Sequence, residues 1–529
     1  MAEKPNIPLL QALERYAETE AVRLHVPGHK GRGEAYGYAS SHYEAIVRLD
    51  ATELPGLDDL HHPEEIIAEA QELAAQCFGA EVTYFLINGS TVGNQAMIMA
   101  VCVPGDVLLV QRDAHKSVIH GLMLAGVRAV FLRPELDPIS GLSLGIDHDV
   151  VEEALKRYPE AKGLLVTRPS YYGVSQALES IASLLHAQDK VLLVDEAHGA
   201  HYGFHPALPK SALAAGADAV VQSTHKMLPA MTMCSMLHVQ GSRINRQALQ
   251  KALGMLQSSS PSYPLLASLD ISRHFIQHHG TKAIEDTLQV VQELKQQLQT
   301  STRWRCRALS ATPRGERHGR LLDPLKLALY DETGALDGFA LKRKLEAEGC
   351  YAELADPQHV LLAFSPSSTG EDATRLMEAL KRIEAEEQHI AMALRVEAGV
   401  STIAAEEDRT DSAAAEKDCT ASSTRVPLYA CAAEGAERMS AEPVQLHWSS
   451  LLHADDSNQR YMPLEASIGE RSTVMLVPYP PGIPVLYPGE RITRSTVHYV
   501  MRLLDSGAKL QGYQMDEARM IPVWCEDIR

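Results

Sequence analysis

The amino-acid sequence predicts an α/β protein whose major domain is a mostly parallel sheet, followed by a small α+β subdomain and a carboxy-terminal α+β domain. Three observations lead there. Between residues 60 and 240, short apolar runs alternate with amphipathic stretches, the pattern of βαβ units. Each run stops at a polar or Gly-containing turn, and most neighbouring runs lie roughly 20 to 35 residues apart, room for a crossover helix between parallel strands. Beyond Gln240 the apolar spacing becomes helical.

The predicted strands, in order, are Val82–Ile87 (VTYFLI), Asp106–Val110 (DVLLV), Arg128–Leu132 (RAVFL), Gly163–Thr167 (GLLVT), Val191–Asp195 (VLLVD) and Asp218–Ser223 (DAVVQS). Apolar residues at Ile284, Leu288, Val291, Leu294 and Leu298 then predict a helix with one face in a core. Residues 320–385 hold two more strand candidates, LKLALY and VLLAFS, within helical segments. From Ala398 to Ser440 the chain is rich in Ala, Glu, Ser, Thr and Asp without a sustained period, which predicts a flexible linker. The Pro-rich run STVMLVPYPPGIPVLYPGERIT and the aromatics after it predict a compact carboxy-terminal domain. The expected division is therefore an amino-terminal segment 1–60, a major domain 61–300, a small subdomain 301–397, a linker 398–440 and a carboxy-terminal domain 441–529. A length of 529 residues suits two to four such folded units.

Composition narrows the function classes. With 45% hydrophobic and 22% charged residues the chain is globular rather than fibrous or disordered. A formal net charge of -19 argues against a non-specific grip on nucleic acid or an anionic membrane and mildly favours cationic small molecules. The eight cysteines are scattered without a CxxC pair, so neither a zinc knuckle nor a disulfide framework is expected. His198, His201 and His205 lack the helical HExxH spacing, and no metal site is expected. The amino terminus lacks a basic region followed by an apolar stretch, and no run of about 18 apolar residues occurs, so a cytoplasmic protein is expected.

Three positions carry chemistry. In VLLVDEAHGAH an apolar run ends in Asp195, and ligands of open parallel sheets sit beyond the carboxyl ends of the strands. The run DAVVQSTHK ends in Lys226, 31 residues after Asp195, which is one strand-helix-strand passage, so both charges converge on one sheet edge. In VTYFLINGSTVGNQAMIMA a strand leads through Asn88-Gly89-Ser90-Thr91 into a helix, whose exposed hydroxyls and unpaired N–H groups form an anion site. The bland readings are a surface lysine and a plain helix cap. Taken together, an amine, a carboxylate and a phosphate cradle are what pyridoxal 5'-phosphate requires: the amine bonds its aldehyde, the carboxylate keeps its ring nitrogen protonated, and the cradle holds its phosphate.

Seven segments occur in order: HVPGHKGRG (His25–Gly33), ELPGLDDLHHP, NGSTVGN, RDAHKS (Arg112–Ser117), STHK (Ser223–Lys226), LQSSSPSYPLLASLDISR and PYPPGIPVLYPGE. Through them nearly the whole chain resembles the ornithine/lysine/arginine decarboxylases. These are fold-type I pyridoxal-phosphate enzymes, with an aspartate aminotransferase-like major domain and a distinctive carboxy-terminal domain. The resemblance implies Lys226 as the Schiff-base lysine, Asp195 as partner of the ring nitrogen and His115 stacked on the ring. It further implies Ser90, Thr91, Ser223 and His225 as phosphate ligands, Ala197 packed against the ring, and His198 beside the ring hydroxyl and substrate carboxylate. Glu490 in the PGE segment would receive the distal cation of a basic amino acid. A homodimer at least is implied, each site being completed across the interface by Ser258–Tyr263.

The overall length and short amino-terminal region resemble arginine-type members without a large wing domain. That implies conversion of arginine to agmatine for polyamine synthesis, with lysine and then ornithine as alternative substrates. An aminotransferase or β-carbon lyase activity is a rival within the fold. A non-catalytic binding protein is a rival outside it, opposed by the intact Lys226, Asp195 and His115. Gln95, Met233 and the Arg168-Pro169-Ser170 spelling depart from the family pattern and bear on substrate preference.

Overall fold

All six predicted strands form, each within a residue of its expected bounds: β1 (Val82–Leu86), β2 (Val107–Gln111), β3 (Arg128–Leu132), β4 (Gly163–Thr167), β5 (Val191–Asp195) and β6 (Ala219–Gln222). A further strand, β7 (Ser235–Val239), was not predicted. The computed structural model describes residues 5–19, 21–309, 319–405, 438–440, 442–446, 459–479, 481–513, 515–516 and 518–525, with backbone alone over 394–405.

Strand order across the sheet is 1-7-6-5-4-2-3. Strands β2 to β6 pair in parallel, while β7 runs antiparallel to both β1 and β6. Successive residues of β5 face opposite clusters: Leu192 and Val194 pack in one, Val191 and Leu193 in the other. A strand covered on both faces has no solvent side to mark with polar residues, so its sequence is an unbroken apolar run. Each such buried Leu or Val contributes about 1.5–3 kcal/mol.

The helix predicted at Ile284–Leu298 is the second half of a 38-residue helix, Tyr263–Thr300. Its buried Leu266, Leu269, Ile284, Val291 and Leu298 belong to one cluster that also holds Leu327, Leu329 and Leu362, so this helix joins the large sheet to a smaller one. The small sheet is antiparallel and comprises β8 (Trp304–Cys306), β9 (Lys326–Asp331), β10 (Leu354–Ala355) and β11 (Val360–Ala363), in the order 8-9-11-10. Strands β9 and β11 are the predicted LKLALY and VLLAFS segments.

The expected linker is corrected at both ends. The helix Gly370–Ala405 runs past Ala398 into the segment read as linker. Residues 406–437 lie outside the described residues. Beyond them Met439 is buried and bridges Leu132, and β12 (Val444–Gln445) adds to the β3 edge in antiparallel sense. The carboxy-terminal unit has its own core of Leu464, Leu476, Leu486, Ile492, Val500 and Val523, under the pair β13 (Gln459–Pro463) and β14 (Met520–Trp524) and the helix Arg494–Asp505. Among the described residues no helix is long and apolar enough to cross a membrane.

Candidate active site

Four segments bring side chains to the carboxyl edge of the large sheet. Asp195 is the last residue of β5, and Lys226 lies in the helical turn Thr224–Met227 that follows β6. Ser90 sits in the first turn of the helix Gly89–Val101 after β1. That helix lies close on the sheet because Gly93 has no side chain: a Cβ there would stand 2.5 Å from Val221 Cγ2 and 2.9 Å from Leu86 Cδ1. His115 caps the helix Lys116–Ala125 after β2.

These segments line a small cavity. Six of the predicted residues line it: Ser90, His115, Asp195, Ala197, His198 and Lys226. Lys226 Nζ is 3.0 Å from His198 Nε2 and 5.4 Å from the centre of the Tyr171 ring. The Tyr171 and His198 rings are 4.3 Å apart. Asp195 accepts from Asn94 Nδ2 at 2.8 Å and from the backbone N–H of Ala197 at 3.2 Å. Asn94 also donates to Ser117 Oγ at 3.0 Å, and that hydroxyl lies 2.8 Å from His115 Nδ1. Since Nδ1 accepts the Ser117 backbone N–H at 3.2 Å, the His115 hydrogen is on Nε2.

The other predicted residues stand apart. Ser223 is fully buried beneath the cavity and donates to Ser90 Oγ at 2.8 Å. His225 is half-buried, with Nδ1 2.8 Å from the carbonyl of Cys234, and Thr91 is exposed; neither lines the cavity. Glu490 also stands away from Lys226: its carboxylate is bound by the Arg112 guanidinium through contacts of 2.7, 2.9 and 3.1 Å. That pairing already neutralises it, and it lines a neighbouring cavity, not the one around Lys226.

Sequence reasoning missed Asn94, Thr167, Tyr171 and Lys326. Two had usable signals. Asn94 follows Ser90 by one helical turn in NGSTVGN and therefore shares its face. Thr167 ends β4 in register with Asp195, so the strand-end rule applies to it equally.

Electrostatics set the protonation states. Burial pushes the Asp195 carboxyl up, against the Asn94 hydrogen bond and the Lys226 charge, so the anion lacks a full complement of positive charge. Burial pulls the Lys226 amine down, opposed by Asp195 and Glu353. It lowers His115 to about 3, helped by Lys226, and holds His198 well below the usual histidine range. Both imidazoles are neutral near pH 7.

The residues fit pyridoxal phosphate on two structural counts. A protonated ring nitrogen would supply the charge that Asp195 lacks. Thr167 Oγ1, buried in the cavity wall beside Asp195, has no hydrogen-bond partner among the described residues and is free to meet a polar ring atom. Among the described residues no group of three or more His, Cys, Asp and Glu side chains is placed to hold a metal ion.

The carboxy-terminal unit closes the wall behind His115. Gly482, at φ +91°, accepts the Lys116 N–H at 2.9 Å, and a Cβ on it would stand 2.8 Å from His115 Nε2. Gly482→Ala is expected to cost about 1–3 kcal/mol through the left-handed backbone and the clash. It should also displace the His115 ring. Thermal melting reads the first effect and bound cofactor per chain reads the second.

A mostly parallel sheet carrying this amine and this carboxylate at its carboxyl edge defines the class: the chain is a fold-type I pyridoxal-phosphate-dependent enzyme. The same fold occurs in the crystal structure of the Francisella novicida lysine decarboxylase LdcF, with a TM-score of 0.78 at 22% identity, over 99% of this chain and 82% of that one. The family follows from sequence comparison. Residues 7–372 match the Orn/Lys/Arg decarboxylase major domain and residues 438–518 match the Orn/Lys/Arg decarboxylase C-terminal domain, so the chain belongs to the Orn/Lys/Arg decarboxylase family. It is a pyridoxal-phosphate-dependent decarboxylase of a basic amino acid. Similar proteins include the uncharacterized protein YaaO of Bacillus subtilis, 38% identical over 99% of both chains. The arginine decarboxylase of Bacillus subtilis is 33% identical over 98% of this chain and 97% of its own.

Proposed function

We propose that this chain converts arginine to agmatine, with Lys226 as the residue that bonds the cofactor. The observation that carries the reading is the position of the Lys226 amine, in the cavity wall with Asp195 and beside His198 and Tyr171. Arginine is chosen over lysine and ornithine because a relative of matching length, 33% identical, is an arginine decarboxylase. When bound, pyridoxal phosphate accepts the electron pair left at Cα as carbon dioxide departs.

The protein's part is to bind, orient and hold protons. Burial keeps the Lys226 amine ready to react and to give way to the substrate amine. Asp195, fixed by Asn94 and Ala197, holds a proton at the ring nitrogen. The neutral His115 and Ala197, both in the cavity wall, would hold the cofactor ring between them. Ser90 and Ser223, joined through their hydroxyls, receive the phosphate with the N–H groups that begin the helix Gly89–Val101. Thr91 and His225 are assigned to the phosphate on their motifs alone. His198 would orient the substrate carboxylate, and which bond at Cα is held in the reactive position would select decarboxylation over loss of the α-proton. Glu490 acts at one remove, fixing with Arg112 the loop that places Ile483 in the cavity wall.

A homodimer is part of the proposal. Val22, Leu24 and Tyr38, the last of them 100% exposed, leave an apolar amino-terminal surface that a second copy would cover. So are the division into amino-terminal, major, small and carboxy-terminal units, a cytoplasmic setting and a role in polyamine synthesis.

Incubation of the holoenzyme with arginine, lysine and ornithine in parallel tests the substrate. Agmatine is expected to form with kcat/KM at least roughly tenfold above that for the other amines. Dominant cadaverine or putrescine would assign the enzyme to lysine or ornithine instead. Absence of labelled carbon dioxide from carboxyl-labelled substrates would remove decarboxylation of all three.

A further inference from the structure

His198 stands between two lysines. Its Nε2 is 3.0 Å from Lys226 Nζ, and its Nδ1 is 3.2 Å from Nζ of Lys326, the first residue of β9 in the small sheet. Lys326 is 2% exposed and forms no ion pair among the described residues. The carboxylate nearest in sequence, Asp323, is engaged elsewhere: Oδ2 meets His201 Nε2 at 2.9 Å and Tyr202 Oη at 3.4 Å, and Oδ1 accepts the Leu325 N–H at 2.9 Å. A lysine this deeply buried, with an imidazole nitrogen as its partner, is poorly explained by stability.

A neutral imidazole has one N–H and one lone pair. Two ammonium groups cannot both donate to it, so one of the flanking amines must be neutral and accept. With the proton on Lys326, Nδ1 accepts from that ammonium, Nε2 carries the hydrogen, and Lys226 is a free amine. With the proton on Lys226, every role reverses.

We propose that Lys326 is a positioning residue that sets the tautomer of His198 and, through it, the protonation of Lys226. One proton leaves the Lys326 ammonium for Nδ1 as the Nε2 hydrogen passes to the Lys226 amine. Charge is conserved, and a single positive charge is shared by two lysines. The inference rests on the reading of Lys226 as the cofactor-bonding residue. It goes beyond that reading by explaining how the amine is neutral when the aldehyde arrives.

The surroundings agree. Burial acts first on all three groups and disfavours charge on each, so the imidazole itself is a poor resting place for the proton. The Tyr171 ring packs on His198, and after burial the two flanking lysines, Lys226 and then Lys326, act next to disfavour charge on it. Asp195 and Glu353 favour an ammonium at Lys226, while Glu353 and Asp323 favour one at Lys326.

The test is covalent capture of pyridoxal phosphate by the full-length, cofactor-free protein across a pH series, stopped with borohydride. Lys326→Met removes the neighbouring charge and is expected to raise the pH midpoint of capture by about one unit or more. Lys326→Arg keeps a permanent donor to Nδ1, and its midpoint is expected at or below that of the wild type. Ring-nitrogen NMR of histidine-labelled protein should show His198 as the Nε2–H tautomer in the wild type and in Lys326→Arg. A wild-type midpoint and tautomer in Lys326→Met would overturn the proposal. So would a Lys326→Arg midpoint above the wild type, which decides the matter if the methionine variant does not fold. Capture by Lys226→Ala would overturn the underlying cofactor reading instead.

Discussion

Lys226→Ala is expected to lower decarboxylation of arginine by about 10⁴-fold or more, the scale on which losing a covalent nucleophile acts. Lys226 is the one lysine in the wall of its cavity among the described residues, so no neighbouring amine is placed to substitute. Its Nζ contacts His198 and the Tyr171 ring and forms no ion pair among the described residues, so removing it breaks no salt bridge. Stability should therefore change by about 1 kcal/mol or less. Turnover, covalently held cofactor and melting temperature, measured on one preparation, separate a lost nucleophile from a lost fold.

Asp195→Asn is expected to lower kcat by about 10²–10³-fold, the cost of removing one preorganised electrostatic partner from a site closed to water. The side chain keeps its size, and its carbonyl oxygen still accepts from Asn94 or Ala197. What disappears is the charge proposed to hold a proton on the ring nitrogen. A second effect has a defined sign. The Asp195 carboxylate favours the ammonium form of Lys226, so its removal should move the pH midpoint of cofactor capture downward. That direction is opposite to the one expected for Lys326→Met, and a capture titration of both variants distinguishes a lost anion from a lost cation.

The sheet was legible because strands buried on both faces read as unbroken apolar runs. Strand β7 escaped for the converse reason. Its SMLHV sequence carries His238, which is fully buried yet bonded to Thr83 Oγ1 and Gln222 Oε1, so the polar residue that weakens the pattern is satisfied across the sheet. Asp195 at a strand end and Lys226 in the turn just after one could be placed from the chain alone, as could the helix start at Ser90. His115, Ala197 and His198 came through resemblance, since no local spacing marks them as cavity residues. Long-range pairing remained hidden: Lys326 reaches His198 from 128 residues away, and Arg112 claims Glu490 from 378 residues away. Neither partner can be inferred until the small sheet and the carboxy-terminal unit are docked on the large one.

The most direct measurement reduces the holoenzyme with borohydride, digests it and locates the pyridoxyl group by peptide mapping. A label on Lys226, within the STHK segment, is the predicted result. A label on any other lysine, or a folded protein that retains none, would contradict the assignment from which the roles of Asp195, His198 and Lys326 all descend.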